Sequence, residues 1–538
     1  MVENQSWYAS AVFYHIDIRA FQDSNGDGYG DLPGLIARLG YLQDLGVDCL
    51  RLLPIFPAIL HGDDYGITDY YSVKKAFGEL EDLDALIQAA HERNIRVILD
   101  LNINHTADRH PWFQISRSDP QSPYRNYYLW SDTDHPYAAA GAPLGKESQS
   151  NWHPDASAKQ YYWSRFSPAL PELNYDSLDL RKEIMNVIRF WLGHGLDGLC
   201  LEGLPYLYER EGTDCLNLPE THQFLKTLRA YIDQDYPGRI LLGAFDQPQR
   251  VLAPYFGSDD ELHMVQDGSL GARILMAMTD QNGGLVKRIA EGLEEVSVET
   301  QWLNQLSEPE GIWLDRLSPE DQAFLVQTYA PNQHPEASHW LARRLAPMMK
   351  NDQRRIRLLY ALLFSLPGAP AVFYGDEIGV GEKLDLPAPL GLNLPMPWDE
   401  TRGAGFSKTS PDQFYAPLTV QPPFDYRMLN VTEQEADPQS LLNFMKDLIA
   451  VRRDHPEIAK GALEWVDTDN PAVAAFVRRL EDKTLFAVFN LADRTAGARI
   501  PREIRQQHRM DLLGGYLRLQ PDLTNVTLKP YQFAWFVI

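Results

Sequence analysis

Residues 11–103 contain, in order, AVFYHIDIRAF (11–21), LPGLIARLGYLQDLG (32–46), VDCLRLLPI (47–55), ELEDLDALIQAAHERN (79–94) and IRVILDLNI (95–103). The three runs rich in β-branched and aromatic residues predict strands, and the two longer runs repeat apolar residues at helical spacing. Strand, helix, strand, helix, strand is typical of parallel βαβ units. This stretch therefore predicts a parallel sheet whose crossovers are helices.

The same alternation resumes further along the chain, in KEIMNVIRFWLGHG (182–195), DGLCLEG (197–203), THQFLKTLRAYIDQ (221–234), RILLGAF (239–245), RIRLLYALLFSLPG (355–368) and APAVFYGDE (369–377). Weaker elements near residues 262–330 bring the expected number of strands to eight. Eight parallel strands joined by helices predict an α/β fold built on a closed (β/α)8 barrel, the TIM barrel.

Two parts of the chain break this rhythm. Residues 105–178 are rich in Pro, Tyr, Trp and Ser and are too long for an ordinary loop, so they predict a subdomain inserted after the third strand. From residue 455 the chain changes to short strand-like runs separated by turns, which predicts a C-terminal antiparallel β domain over 455–538. The barrel is then expected to comprise residues 1–104 and 179–454.

The charge balance bears on possible partners. The 74 acidic and 49 basic residues give a net charge of −25, which would repel phosphate backbones and anionic membranes. No apolar run approaches the roughly 20 residues of a membrane span, and the N-terminal sequence lacks the regions of a signal peptide. We therefore expect a cytoplasmic protein that binds neither nucleic acid nor membrane. The 3 widely spaced cysteines favour reduced thiols.

The segment DSNGDGYGD (23–31) follows the first predicted strand and carries oxygen-bearing side chains with interleaved glycines. Hard cations require several oxygen ligands at about 2.5 Å, and alternate positions on a Gly-rich turn can converge on one ion. A polar turn without a metal is the other interpretation. The pattern favours a structural calcium site, with magnesium also open, formed by Asp23, Asn25, Asp27, Tyr29 and Asp31.

At this loop and beyond it the sequence resembles the alpha-amylase superfamily, and within it the trehalose synthases. The resemblance covers nearly the whole chain and is carried by FQDSNGDGYGDLPGL (21–35), INHTADRHPWF (103–113), LPYLYEREGTDCLNLPETHQFLK (204–226) and RRLAPMMKNDQRRIRLLYALLFSLPGAPAVFYGDEIG (343–379). It implies a calcium-containing barrel, an inserted second domain and a C-terminal β domain, in agreement with the interpretation of the strand and helix patterns.

Glycosyl transfer in this family requires a carboxylate that attacks the anomeric carbon and an acid that protonates the leaving oxygen. The resemblance puts the attacking carboxylate at Glu202, where the family has Asp, and it puts Cys200 where the family has an arginine. The acid-base position falls on Ala244, which cannot transfer a proton. The family's third acid aligns with Glu310, in Glu308-Pro-Glu-Gly311.

Only some of the family's other site residues are present in this chain. Among those that hold the reacting sugar, Tyr65 and His105 remain, whereas an arginine of the family is replaced by Asn393. The resemblance also implies a second calcium between barrel and inserted domain, at positions that correspond to Asn104, Glu172, Tyr206, Leu207 and Glu209.

These replacements bear directly on function, because proton transfer alone contributes about 10² to 10⁴ in rate. The acid-base residue, the arginine beside the nucleophile position and the histidine that precedes the family's third acid are all absent. Their combined loss predicts a non-catalytic relative. Such a protein would act as a regulatory subunit, in a homo-oligomer or with an active homologue, or would bind an α-linked glucose disaccharide or glucan. The alternative is an active enzyme that interconverts maltose and trehalose, with Glu202 as nucleophile and Asp246 as a relocated acid.

Overall fold

The computed structural model describes residues 6–60, 63–141, 150–245, 247, 249–293, 296–297, 299–314, 317–332, 340–387, 389–500, 509–513, 518–519 and 525–538. Its centre is a closed barrel of parallel strands in which each strand pairs with the next along the chain and the last pairs with the first. We number these strands β1 (Phe13–Ile16), β2 (Cys49–Leu52), β3 (Arg96–Asn102), β4 (Gly198–Glu202), β5 (Ile240–Ala244), β6 (Met264–Gln266), β7 (Gln301–Asn304) and β8 (Ala369–Phe373). The predicted (β/α)8 barrel is confirmed.

Helices cover the outside of the barrel. The helix Leu80–His91 shows why they form, since Asp82 accepts a hydrogen bond from the Glu79 N–H (2.9 Å) and the buried face of the helix repeats at helical spacing. The full set is Ile18–Phe21, Leu32–Ala37, Leu39–Leu45, Leu80–His91, Leu178–Gly193, Pro219–Asp235, Gln249–Leu252, Leu270–Thr279, Gly283–Leu293, Pro319–Tyr329, Leu345–Met348, Gln353–Ser365, Val431–Ala436, Leu441–Asp454 and Pro456–Lys460. Among the described residues, no helix combines the length and apolar composition needed to cross a bilayer.

The long connection between β3 and β4 has secondary structure of its own. It contains the helix Pro111–Ser118 and a three-stranded antiparallel sheet made of Trp130–Ser131, Gln160–Trp163 and Trp152–Asp155. The connection returns to the barrel through an antiparallel bridge between His105 and Glu172. Two further antiparallel strand pairs are Ala58–Leu60 with Asp63–Ile67 and Ile312–Trp313 with Trp340–Leu341.

The C-terminal part is an antiparallel β domain, as predicted. Its main sheet pairs Ala462–Trp465, Val473–Leu480, Lys483–Asn490 and Phe533–Val537 in that order. Two smaller sheets pair Ala496–Arg499 with Asn525–Leu528 and Arg509–Met510 with Arg518–Leu519. The domain is joined to the barrel by buried hydrogen bonds, among them one from Arg478 Nη1 to the Ser365 carbonyl (3.0 Å).

The interior of the barrel is apolar toward the N-terminal ends of its strands. Inward residues of all eight strands form one cluster there with Trp7, Tyr8 and Ala11, which precede β1. Trp7 is anchored by a hydrogen bond from its indole to the Gly238 carbonyl (3.1 Å). Because the inside of the barrel is filled at this end, the polar side chains within the barrel lie toward the opposite rim, where the strands end.

A buried carboxyl group links β1 to the helix Leu39–Leu45. Glu377 Oε1 accepts hydrogen bonds from the hydroxyls of Tyr14 (2.8 Å) and Tyr41 (2.6 Å), while Glu377 Oε2 has no partner within the described chain. Burial raises the pKa of Glu377 to about 7, although both tyrosine hydrogen bonds act in the opposite direction. The folded protein therefore holds a proton on Glu377 that an unfolded chain would release near pH 4.5.

We expect Glu377→Gln to stabilise the protein at pH 8 and to have little effect at pH 4.5. A carboxyl with a raised folded pKa contributes stability that is lost as pH rises from its unfolded to its folded pKa, and an amide removes this loss. A shift from 4.5 to about 7 corresponds to a gain on the order of 3 kcal/mol above pH 7. Urea unfolding at both pH values measures it, with the exposed Glu92→Gln as control. An equal effect of Glu377→Gln at both pH values would contradict the assignment.

Candidate active site

The strand ends opposite the apolar plug bring the sequence-predicted residues onto one rim. Strand register aligns Glu202, the last residue of β4, with Asn102 of β3 and with Ala244 of β5. Asp100 lies two pairs further in, beside Cys200. The barrel thus places the predicted nucleophile position and the predicted acid-base position on adjacent strands.

Arg51, a residue of β2, occupies the centre of this rim. Its Nε and Nη2 bind the two carboxylate oxygens of Asp100 at 2.6 and 2.9 Å, and Nη2 also lies 3.1 Å from Glu202 Oε1. The Arg51 side chain is only 3% exposed, so the contact takes place away from bulk water. The positive charge missing at Cys200 is therefore supplied to Glu202 from another strand.

The polar network continues from Arg51 to the strand ends on the other side of the barrel. Arg51 Nη1 donates to Gln266 Oε1 (2.5 Å), and the Gln266 amide donates to Glu308. Glu308 is held in a tight loop by reciprocal backbone hydrogen bonds with Gly311 (2.7 and 3.0 Å). The turn that follows β7 therefore faces the nucleophile position.

Burial raises the pKa of Glu202 well above its usual range. Arg51 acts against this shift, and Asp100, Glu308 and Glu310 add to it. Burial and the neighbouring carboxyl groups therefore both favour the protonated form of Glu202. The contact with Arg51 is what favours the ionised form of Glu202.

Ala244 is buried at the end of β5 and has no group that could carry a proton. The residue expected to replace it, Asp246, lies outside the described residues. Its neighbour Gln247 is described and buried. The relocated acid therefore stays a prediction from the sequence.

Tyr65 and His105, the predicted sugar-binding residues, lie on two sides of the rim. The pKa of Tyr65 is raised by burial and by the charges of Glu202, Asp100 and Glu310, which places its hydroxyl within reach of their field. His105 is buried against Phe166 and its Nδ1 is 3.0 Å from Asn104 Oδ1. Burial lowers the pKa of His105 to about 3, so the ring is neutral.

The loop Asp23–Asp31 uses its oxygen atoms to organise its own backbone. Asp23 accepts hydrogen bonds from the N–H groups of Gly26 (2.6 Å) and Gly28 (2.8 Å), and Asp31 Oδ1 accepts one from Gly34 (2.7 Å) at the start of the next helix. Asn25 and Asp27 are exposed. The described carboxylates of the loop do not form a set of three ligand atoms within 4.8 Å of one another, whereas Asp100, Cys200 and Glu202 do. Metal binding at the loop stays a prediction.

The positions implied for a second calcium surround a guanidinium. Arg165 Nη2 binds Glu172 Oε2 (2.7 Å), Glu209 Oε1 (3.0 Å) and the Tyr206 carbonyl (2.7 Å). The Arg165 side chain is fully buried. Asn104 Nδ2 also donates to the Tyr206 carbonyl (2.9 Å). Leu207, the remaining implied position, is buried next to Tyr206. The oxygen atoms that would bind a metal ion already bind the Arg165 guanidinium, so this group of residues does not fit a second metal ion.

Sequence reasoning missed Arg51, Asp100, Gln266 and Glu308. The sequence did contain a signal for Arg51. It is the one charged residue in CLRLLPI, which is part of the run predicted to form a strand. A cation in such a strand requires a buried partner. The partner could not be identified from the sequence, because it depends on which strands are adjacent at the rim.

Comparison with known families gives two matches. Residues 16–283 and 337–461 match the alpha amylase catalytic domain. Residues 463–535 match the maltogenic amylase C-terminal domain. The two matched regions correspond to the barrel with its insertion and to the C-terminal sheets.

Individual relatives cover almost the whole chain. A trehalose synthase/amylase of Mycobacterium tuberculosis is 42% identical over 494 residues, which are 90% of this chain and 82% of that protein. A trehalose synthase of Pimelobacter sp. (strain R48) is 37% identical over 558 residues, with 99% and 96% covered. Among solved structures, the trehalose-6-phosphate hydrolase of Bacillus licheniformis superposes with a TM-score of 0.81 at 21% identity, covering 99% of both chains, and supports the fold.

The prediction that this chain is non-catalytic is wrong. Its relatives at 37–42% identity are trehalose synthases and a trehalose synthase/amylase, so the chain groups with enzymes. The physical reason for the error is that each replacement was judged within its own strand, whereas Arg51 reaches Glu202 from β2. The role as a partner or regulatory subunit loses its basis, because it rested on inactivity.

We expect Arg51→Leu to lower the free energy of unfolding by about 3 to 5 kcal/mol, because removing one member of a buried ion pair leaves the others uncompensated. Adding Cys200→Arg to Arg51→Leu should recover part of the loss, since the Cys200 sulfur is 3.9 Å from Glu202 Oε1. Urea unfolding followed by tryptophan fluorescence measures both effects.

The matched control is Arg354→Leu, whose guanidinium is 62% exposed and pairs with Asp352 at 2.6 Å. An exposed pair of this kind contributes about 0 to 1 kcal/mol. If Arg51→Leu cost no more than the control, or if Cys200→Arg restored nothing, the assigned role of the Arg51 charge would be wrong.

Proposed function

Because the chain belongs to the alpha-amylase family, we propose that it is an active enzyme that transfers α-linked glucosyl units and interconverts maltose and trehalose. The substrate class follows from the relatives named trehalose synthases. The observation that carries the proposal is the contact of Arg51 Nη2 with Glu202 Oε1 (3.1 Å). It gives the nucleophile position a charge partner that the sequence alone did not reveal.

In the proposed reaction, a Glu202 oxygen bonds to the anomeric carbon while the bond from that carbon to the leaving sugar oxygen breaks. Asp246 donates a proton to the leaving oxygen. In the second step, a different hydroxyl of the released glucose attacks the glucosyl-enzyme ester and returns its proton to Asp246. Two displacements at one carbon retain the α configuration.

Arg51 has two tasks in this reaction. It fixes the direction of the Glu202 carboxylate by a short contact, and it favours the ionised form against burial and neighbouring carboxyl groups. Because Asp100 binds Nε and Nη2 of the same guanidinium at 2.6 and 2.9 Å, Arg51 is held at the rim. Glu202 has one methylene more than the aspartate of the family, and a fixed cation is what can hold the longer side chain in place.

We expect Glu202→Gln to abolish turnover of both maltose and trehalose, because an amide cannot form the glucosyl ester. Asp246→Asn should lower maltose turnover by about 10²-fold or more, since the leaving sugar then departs without a proton. Asp246→Asn should retain cleavage of α-glucosyl fluoride, whose leaving group needs no proton. Purified full-length variants are assayed by following glucose, maltose and trehalose.

The control is Glu92→Gln, at an exposed carboxyl that follows the helix Leu80–His91, and it should keep the wild-type turnover. Turnover by Glu202→Gln at the wild-type rate would end the assignment of the nucleophile. Equal loss of maltose and α-glucosyl fluoride turnover in Asp246→Asn would show that the acid lies elsewhere.

We also propose that the loop Asp23–Asp31 binds one structural calcium ion. Support comes from its oxygen-bearing residues on a Gly-rich turn and from the exposure of Asn25 and Asp27 beside the two buried aspartates. The loop lies between β1 and the helix Leu32–Ala37, so bound calcium would stabilise the fold without taking part in bond breaking.

We expect the calcium chelator EGTA to lower the thermal midpoint of the wild-type protein and to have no effect on Asp27→Ala, which should already melt lower. If calcium binds the folded protein and not the unfolded chain, calcium at 100 times its Kd raises the free energy of unfolding by about 2.7 kcal/mol. Calorimetric melting with added calcium or magnesium distinguishes the two ions, and elemental analysis should find no more than one ion per chain. A wild-type midpoint that is unchanged by EGTA would contradict the proposal.

A further inference from the structure

A cavity of about 290 Å³ lies at the end of the barrel opposite Glu202. Its barrel wall is formed by residues at the N-terminal ends of the first three strands, including Val12, Asp48 and Arg96. Its other wall is formed by the helices Leu441–Asp454 and Pro456–Lys460. The cavity is therefore separated from the active site by the apolar interior of the barrel.

The lining of this cavity is strongly basic in a chain whose net charge is −25. Arg96, Arg452, Arg453 and Lys460 line it together with a single carboxylate, that of Asp48. Asp48 Oδ2 already accepts a hydrogen bond from the Val12 N–H (2.8 Å). One carboxylate cannot neutralise four cations, so the cavity concentrates positive potential.

Arg452 is the lining residue that points most clearly to an anionic ligand. Its side chain is buried, and its Nη1 and Nη2 donate to the carbonyls of Phe364 (2.5 Å) and Gly368 (2.7 Å). Both acceptors are neutral. Its Nε is buried and has no acceptor within the described part of the chain. Burial, together with the nearby charge of Arg478, lowers the pKa of Arg452 to about 9, while the charge of Asp48 acts in the opposite direction.

The remaining cations are arranged around this buried one. The guanidinium of Arg96 lies 4.5 Å from the centre of the Trp7 ring, which fixes its position without neutralising it. Arg453 and Lys460 are exposed at the opening. Arg452 thus contributes a buried cation to the lining, and Arg453 and Lys460 add two exposed cations, a combination of charges by which proteins bind oxyanions.

We propose that this cavity binds a phosphate group, either as free phosphate or as part of a small phosphorylated sugar. A phosphate group offers several acceptor oxygens and up to two negative charges, which matches several donors of fixed geometry better than a carboxylate does. A cavity of about 290 Å³ has room for such a ligand. The site is independent of the glucosyl-transfer chemistry, since it lies at the other end of the barrel.

The test is calorimetric titration of the full-length protein with inorganic phosphate, glucose 6-phosphate and unphosphorylated glucose, in buffer of constant ionic strength. We expect saturable binding of at least one phosphate compound. Equal affinity for the two phosphate compounds identifies free phosphate as sufficient, and tighter binding of glucose 6-phosphate identifies the phosphorylated sugar; both support the proposal. No saturable binding of either phosphate compound, or binding of the phosphate compounds that glucose competes away, would overturn it.

The variant Arg453→Gln with Lys460→Gln should weaken phosphate binding at least tenfold and should fold normally, because both side chains are exposed. The matched control removes two exposed cations elsewhere, Lys182→Gln with Arg354→Gln. Equal weakening by both double variants would reduce the effect to net charge and reject the site. Binding should persist in Glu202→Gln, and its loss there would place the ligand in the active site instead.

Discussion

The carboxyl ends of eight parallel strands meet on one narrow rim, and a charge placed there is shielded from water. Every ionisable group on the rim must therefore find its counter-charge within the barrel. Arg51 meets this requirement for Asp100 and Glu202 together, through contacts between 2.6 and 3.1 Å. The same guanidinium orients Gln266, which in turn donates a hydrogen bond to Glu308.

This arrangement links stability with chemistry. Burial raises the pKa of Glu202, the neighbouring carboxyl groups add to the shift, and Arg51 opposes it. The same cation lies against the oxygen that would attack a sugar. Cys200 stands where the family resemblance implies an arginine, and Arg51 provides a positive charge to Glu202 from a different strand, so the residues at positions 51 and 200 are expected to depend on one another.

Much of the fold could be predicted from the sequence, because alternating strand and helix patterns are local. The barrel and the C-terminal β domain follow from such patterns, and the positions of Glu202 and Ala244 follow from motifs at strand ends. Arg51 could not be assigned in this way, because its partners lie on β3 and β4 and depend on barrel closure. The error about activity has the same origin. It treated Cys200 as a loss of charge from the site, whereas Arg51 provides a positive charge from β2, which is separated from β4 by β3.

The junction between the barrel and the inserted segment illustrates a further consequence of an internal cation. Arg165 is covalently part of the chain, so its effective concentration at Glu172 and Glu209 is set by the backbone. A free divalent ion would instead have to be captured from dilute solution, and the junction would loosen whenever the supply fell. A tethered guanidinium removes this dependence, and the contact between barrel and insertion then forms as part of folding itself.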